Sequence, residues 1–126
     1  MIDTLNIGKY IYNTLNQSEN INCKIYPLVA DNDAKFPFII YKRVNLNSLM
    51  CKDGLYEDEA TVEISVVTDK YSIGIEIANQ VRELLESQTL NYQGLEITES
   101  RLMQASEEYN NGAFVQRLQF NFKINN

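Results

Sequence analysis

The chain has 126 residues, of which 44% are apolar and 22% charged, and its 11 basic and 17 acidic side chains give a net charge of −6. This size and composition predict one folded domain spanning residues 1–126. The acidic balance excludes general attraction to a phosphate backbone or an anionic bilayer, and the lack of histidine removes the commonest metal ligand and the usual proton shuttle at neutral pH.

The first quarter of the chain predicts a helix and a short strand. Residues 3–17 carry apolar side chains at helical spacing, with Asp3 or Thr4 as the N-cap. Residues 23–27 are typical of a strand, and Pro27 confines it to an edge or a strand end because proline has no N–H to donate.

Two further strands with a long connection are predicted next. Residues 36–44 are rich in aromatic and β-branched side chains, which favours a strand. Residues 45–58 fit neither the helical nor the strand period, so they are predicted to be a loop of 14 residues. From residue 59 to residue 66 apolar and polar side chains alternate, which predicts a strand with one buried face.

Residues 72–87 switch to the helical period, with an apolar stripe opposite a polar one. Ser72 is the predicted N-cap of this second helix. Gly74 and Ala78 lie one turn apart, and their small size predicts close contact with the sheet.

The last part of the chain predicts a hairpin. Residues 95–104 are a fourth strand, Asn111-Gly112 is a pair that favours a tight turn, and residues 113–124 alternate as the longest strand. The element order is α-β-β-β-α-β-β. It predicts an α+β, two-layer fold with a mostly antiparallel sheet and both helices packed on one face.

Acidic and thiol side chains offer little for catalysis or metal binding. Three neighbouring carboxylates, Glu57-Asp58-Glu59, alternate between faces on an extended chain, so they do not converge on one ion and are interpreted as a solvated strand entry. Cys51 beside Lys52 is the one candidate nucleophile, and a chance pair in a loop is the favoured interpretation. No phosphate-binding glycine motif is present, and no cofactor or metal is predicted.

Two segments are candidate partner surfaces. The first is the apolar part of the predicted loop, for which folding back onto the core is an equal alternative. The second is the acidic tip of the last hairpin, next to a strand edge that must be covered, charged or paired. The candidate contact residues are Leu46, Leu49, Met50, Leu55 and Tyr56 in the loop, and Glu107, Glu108, Asn110 and Asn111 at the tip.

Several strings carry a resemblance to a known family. They are IYPLV at 25–29, FPFIIY at 36–41, ATVEISV at 60–66, VRELL at 81–85 after Tyr71, and RLQFNF at 117–122. With the element order, they make the chain similar to the phage tail completion family, also called tail terminators or tail-to-head joining proteins. The resemblance covers residues 4–124 and carries no catalytic signature.

The resemblance implies a structural role without catalysis. Family members assemble as a ring, commonly a hexamer, which ends the tail tube and meets the head-completion or connector protein. The implied partners are therefore further copies of the chain, the tail tube protein and the connector. DNA is expected to pass through without specific binding, since an acidic channel repels it. No membrane is involved. The expected location is the cytoplasm of the bacterial host during assembly, then the neck of the virion.

Two alternatives stay open at this stage. The first alternative to a tail completion protein is another neck component, such as a minor head-tail connector. The second, from a different class, is a small enzyme with a Cys51 or carboxylate centre. Replacing Leu49 or Met50 by Asp is expected to abolish ring formation if the loop contacts a neighbour.

Overall fold

A computed structural model describes residues 4–50 and 56–125 of the chain. The α+β class and the predicted order of elements are confirmed, with one short strand, β4, added. After a 3-10 turn at Thr4–Asn6, the elements are α1 Ile7–Asn16, β1 Lys24–Pro27, β2 Phe38–Met50, β3 Tyr56–Thr68, α2 Tyr71–Leu85, β4 Leu90–Tyr92, β5 Leu95–Asn110 and β6 Ala113–Asn125.

The strands form one sheet in the order β1-β2-β3-β6-β5-β4. The β1–β2 pair is parallel and the other pairs are antiparallel, so the prediction of a mostly antiparallel sheet is confirmed. Its centre consists of two long hairpins, β2–β3 and β5–β6, joined side by side along β3 and β6. Asn111 and Gly112 have φ of 51° and 82°, and glycine and asparagine tolerate this left-handed conformation in the two-residue turn between β5 and β6.

Both helices cover one face of the sheet. Alternate residues of β3 and β6 point to that face, and the apolar stripes of α1 and α2 close over them to exclude water. The residues with little or no exposed surface include Ile7, Ile11 and Leu15 of α1, Val81 and Leu85 of α2, Val62 and Ile64 of β3, and Phe120, Phe122 and Ile124 of β6.

The predicted loop at residues 45–58 is wrong for most of its length. Residues 45–50 continue β2 and residues 56–58 begin β3, while residues 51–55 lie outside the described part of the chain. The ladder between β2 and β3 shifts its register between Arg43 and Asn45. Because one extra residue moves every later side chain to the other face, the shift hides the alternation from a reading of the sequence.

Two of the predicted N-caps, Thr4 and Ser72, do not cap their helices. The helices begin after Asn6 and Lys70, without a side-chain cap in either case, and Ser72 lies within α2. Asp3 is outside the described residues. Thr4 is buried and donates its hydroxyl hydrogen bond to Asp58 Oδ2 at 2.5 Å, so it ties the chain before α1 to β3.

The predicted close contact of α2 with the sheet is confirmed at Gly74. A Cβ atom at this position would lie 3.0 Å from Oγ1 of Thr68, at the end of β3. Thr68 is fully buried and donates to the backbone carbonyl of Lys70 at 2.7 Å. Glycine therefore lets the first turns of α2 pack directly on the end of β3.

Candidate assembly surfaces

The end of the β2–β3 hairpin carries exposed apolar side chains. Met50 is 72% exposed and Leu49 is 45% exposed, whereas Leu46 is partly buried and packs against the core. Leu46 is therefore folded onto the core, whereas the last two residues of β2 face solvent and stay candidates for a partner contact. Leu55 lies outside the described residues, and Tyr56 begins β3.

The tip of the β5–β6 hairpin is exposed and acidic. Asn110 ends β5 and Asn111 occupies the turn, and both are exposed. The carboxylate of Glu107 accepts hydrogen bonds from Gln116 Nε2 and from the Tyr71 hydroxyl, each at 2.8 Å. These two donors, first Gln116 and then Tyr71, lower the pKa of Glu107 below its ordinary value, so this surface carries a fixed negative charge at neutral pH.

An aromatic pocket lies beside this tip, where the start of α2 meets the hairpin. Its volume is about 270 Å³, and it is lined by Tyr71, Glu107, Glu108, Tyr109, Phe114 and Gln116. The ring of Phe114 contacts Tyr109 at 4.7 Å and Tyr71 at 5.8 Å between centroids. We name this feature the aromatic pocket. Of the residues that line this pocket, only Glu107 and Glu108 are candidate contact residues predicted from the sequence.

The two predicted surfaces are not brought together. Glu57 pairs with Asn125 at one end of β3, and Thr68 pairs with Phe114 at the other end. The ends of the two hairpins are therefore separated by roughly 35 Å along the strand direction, given about 3.3 Å per residue. This arrangement excludes a single cleft built from both predicted segments.

The sheet face opposite the helices carries a lattice of ion pairs. Glu63 of β3 lies 3.4 Å from Lys42 of β2 and 3.9 Å from Arg117 of β6, and Arg117 also pairs with Glu108 of β5. Exposed pairs of this kind each contribute at most about 1 kcal/mol, so their main effect is to keep this face charged and solvated.

The prediction that Glu57-Asp58-Glu59 form a solvated strand entry is wrong for Asp58. Its side chain is 2% exposed and accepts the hydrogen bond from Thr4, while Glu57 and Glu59 are partly exposed on the other face. The alternation of neighbouring carboxylates between faces occurs as predicted. Among the described residues no group of three Asp, Glu, Cys or His side chains is placed to hold a metal ion.

The cysteines give no support to a thiol nucleophile within the described residues. Cys23 is partly buried, and burial raises the pKa of its thiol to about 11, so the reactive thiolate is scarce at neutral pH. Cys51, the candidate named from the sequence, lies outside the described residues. In the described part of the chain, neither helix has the length and apolar character needed to cross a membrane.

Comparison with known proteins finds the fold in a viral-type particle. A chain in the virion of a native gene transfer agent (GTA) particle is 14% identical, with a TM-score of 0.79 over 92% of this chain and 92% of that chain. At this identity the likeness establishes a shared fold. No protein-family model matches the chain. No curated protein matches it either.

Proposed function

We propose that this protein is a structural tail completion, or tail terminator, protein of a phage or prophage, which forms a ring on the tail tube and joins it to the head connector. The observation that carries the proposal is the fold shared along 92% of both chains with a chain of the gene transfer agent virion. The strings at 25–29, 36–41 and 117–122, which resemble the tail completion family, point to the same class.

The placement of the two exposed hairpin ends supports a role between two partners. A ring seated on a tube needs one contact surface for the tube and another for the connector. The apolar end at Leu49 and Met50 and the acidic tip, which carries Glu107 and Glu108, lie at opposite ends of the same sheet. One subunit therefore presents two chemically different ends, as a joining protein requires.

The distribution of acidic residues suits a channel through which DNA passes without binding. Exposed carboxylates occur on both layers, with Glu76 and Glu83 on α2 and Glu99 and Glu108 on the opposite sheet face. Whichever layer lines a ring, a phosphate backbone meets acidic side chains rather than a continuous basic surface. A filter-binding assay at low salt with double-stranded DNA is expected to detect no retention.

Capping of tail tubes tests the function directly. The purified protein is added to polymerising tail tube protein from the same genome, and tube lengths and ends are recorded by electron microscopy. A terminator shortens the tubes and appears as a ring at one end. Tubes of unchanged length with bare ends contradict the terminating role, and binding to the head connector alone favours the minor connector alternative.

A variant of the apolar hairpin end makes this assay specific. Met50→Asp places a charge at a side chain that is 72% exposed, so it leaves the core intact while disrupting an apolar contact. Leu5→Asp is the matched control, since Leu5 is 64% exposed and lies outside both hairpin ends. We expect capping to be lost with Met50→Asp and retained with Leu5→Asp.

A further inference from the structure

A turn after β1 exposes two adjacent aliphatic side chains. Leu28 is 67% exposed and Val29 is 73% exposed, at the edge of the sheet formed by β1. Leu28 has φ of 67°, which is uncommon for a branched side chain. Its N–H donates to the carbonyl of Tyr41 at 2.9 Å, and the N–H of Val29 donates to the carbonyl of Pro27 at 2.7 Å. The turn therefore presents a fixed apolar knob to solvent.

The aromatic pocket lies toward the opposite edge of the sheet from the turn after β1. It is built on the β5–β6 hairpin, and β4 pairs only with residues 95–97 of β5, so residues 98–110 lie at the opposite edge from β1. Tyr109 is 63% exposed and Tyr71 is 47% exposed, which leaves the pocket accessible. A volume of about 270 Å³ suits one or two aliphatic side chains.

We propose that the Leu28-Val29 turn of one copy docks into the aromatic pocket of a second copy. Since the knob and the pocket lie at opposite edges, each copy keeps one of each free after a contact forms, and the association runs head to tail. Repeated contacts of this kind form a closed ring when the rotation from one copy to the next is a whole-number fraction of a full turn. This inference rests on the proposed ring and names its lateral contact.

Charge complementarity favours a second copy as the occupant. The pocket is lined by Glu107, which accepts hydrogen bonds from the neutral donors Tyr71 and Gln116, and by Glu108, which is paired with Arg117. On a wider scale, residues 24–43 contain four basic and two acidic side chains, whereas β5 contains four acidic and one basic. The segment 24–43 of one copy is therefore attracted to β5 of another copy, and each is repelled by its own equivalent, which favours a contact between unlike edges.

Disulfide trapping between two different variants tests the contact. Val29→Cys and Glu108→Cys are made separately, both with Cys23 and Cys51 replaced by serine, then mixed and oxidised by air. We expect a covalent dimer in the mixture and little in either variant alone. Leu5→Cys, mixed with Glu108→Cys, is the control for random collision. Equal cross-linking in the control mixture overturns the proposal.

Self-association gives an independent readout. Sedimentation velocity of the parent protein over a range of concentrations is compared with Leu28→Asp and Leu5→Asp, whose exposed fractions match in the parent. We expect at least tenfold weaker association for Leu28→Asp and no change for Leu5→Asp, with circular dichroism unaltered in both. A parent that stays monomeric at its highest soluble concentration and gives no trapped dimer overturns the contact, as do equal effects of the two variants.

The tube-capping assay separates this proposal from the function on which it rests. If Leu28→Asp still forms rings that cap tubes, the lateral contact is wrong and the function stands. If Leu28→Asp loses self-association but the parent protein neither caps nor binds tubes, the contact stands and the terminating function is wrong.

Discussion

The close approach of α2 to β3 makes a definite prediction for Gly74→Ala. Replacing glycine by alanine within a helix ordinarily stabilises it by about 1 kcal/mol, because glycine loses more backbone entropy on folding. Here the new Cβ meets Thr68 Oγ1 at 3.0 Å and Thr68 Cγ2 at 3.7 Å. Thr68 cannot yield easily, since it is fully buried and its hydroxyl is bonded to Lys70.

The cost of overpacking against Thr68 opposes the gain in helix propensity. Their relative sizes decide whether Gly74→Ala lowers or raises the free energy of unfolding. Overpacking at a closed site costs about 1–3 kcal/mol, against a helix gain of about 1 kcal/mol. Gly74→Ala is therefore expected to lower the free energy of unfolding by about 1 kcal/mol. In a Thr68→Ala background the obstructing atoms are gone, so the same substitution is expected to raise it by about 1 kcal/mol.

A double-mutant cycle measured by urea unfolding checks this reasoning. The expected coupling between positions 68 and 74 is about 2 kcal/mol, which is well above the error of such cycles. Ala78, one turn further along α2, offers Ala78→Gly as a control in which only helix propensity and a buried methyl are lost. Equal stabilisation by Gly74→Ala in both backgrounds would refute the close contact.

Three further predictions follow from buried and hydrogen-bonded groups. Thr4→Val removes a hydroxyl donor to the buried carboxylate of Asp58, so it is expected to lower the free energy of unfolding in urea by about 1.5–3 kcal/mol. Thr4→Ser retains the hydroxyl and serves as the control. An equal loss of stability in both variants would contradict the role of the hydroxyl. Tyr71→Phe removes a hydrogen-bond donor to Glu107, so the lowered pKa of Glu107 is expected to rise toward its ordinary value, as measured by a carbon-detected NMR titration. An unchanged pKa of Glu107 would show that this hydrogen bond is absent in solution. Because that pKa is lowered on folding, the contribution of Glu107 to stability is present at neutral pH and is lost as the pH falls through the folded-state pKa. Phe120→Ala empties a fully buried site and is expected to cost about 3–5 kcal/mol in thermal or urea unfolding, with a loss below about 1 kcal/mol placing Phe120 outside the core.

Regular alternation is what made the fold predictable. In β3 the apolar side chains from Ala60 to Val66 occupy every second position, and the pairing with β6 keeps one register from Glu57 to Thr68. The helical stripe of residues 72–87 was equally regular, and its buried members Val81 and Leu85 lie where the pattern put them. A sheet with one solvated face then left only one side for the helices.

The parts that sequence reasoning missed are those where the register shifts. The irregularities after Arg43 in β2 and after Leu102 in β5 move later side chains to the other face, so the distal half of each strand lost its visible period. Asp58 is a different case, because it shares the phase of Ala60 and was predictable as inward-facing. A carboxylate is expected to face solvent, and Thr4, whose hydroxyl bonds to this buried carboxylate, is 54 positions away in the sequence.

The candidate contact surfaces depend on tertiary structure in the same way. Tyr71 precedes a helix and Phe114 begins a strand, and nothing in the chain order indicates that they enclose a pocket with Tyr109. The knob at Leu28 and Val29 likewise becomes significant only once β1 is known to lie at the edge opposite to that pocket. An apolar turn on one edge and an apolar pocket on the other give each copy two different contact surfaces, so one contact leaves one of each free on the pair. Such surfaces allow a repeat that continues until it closes, which is the geometry that the proposed ring requires.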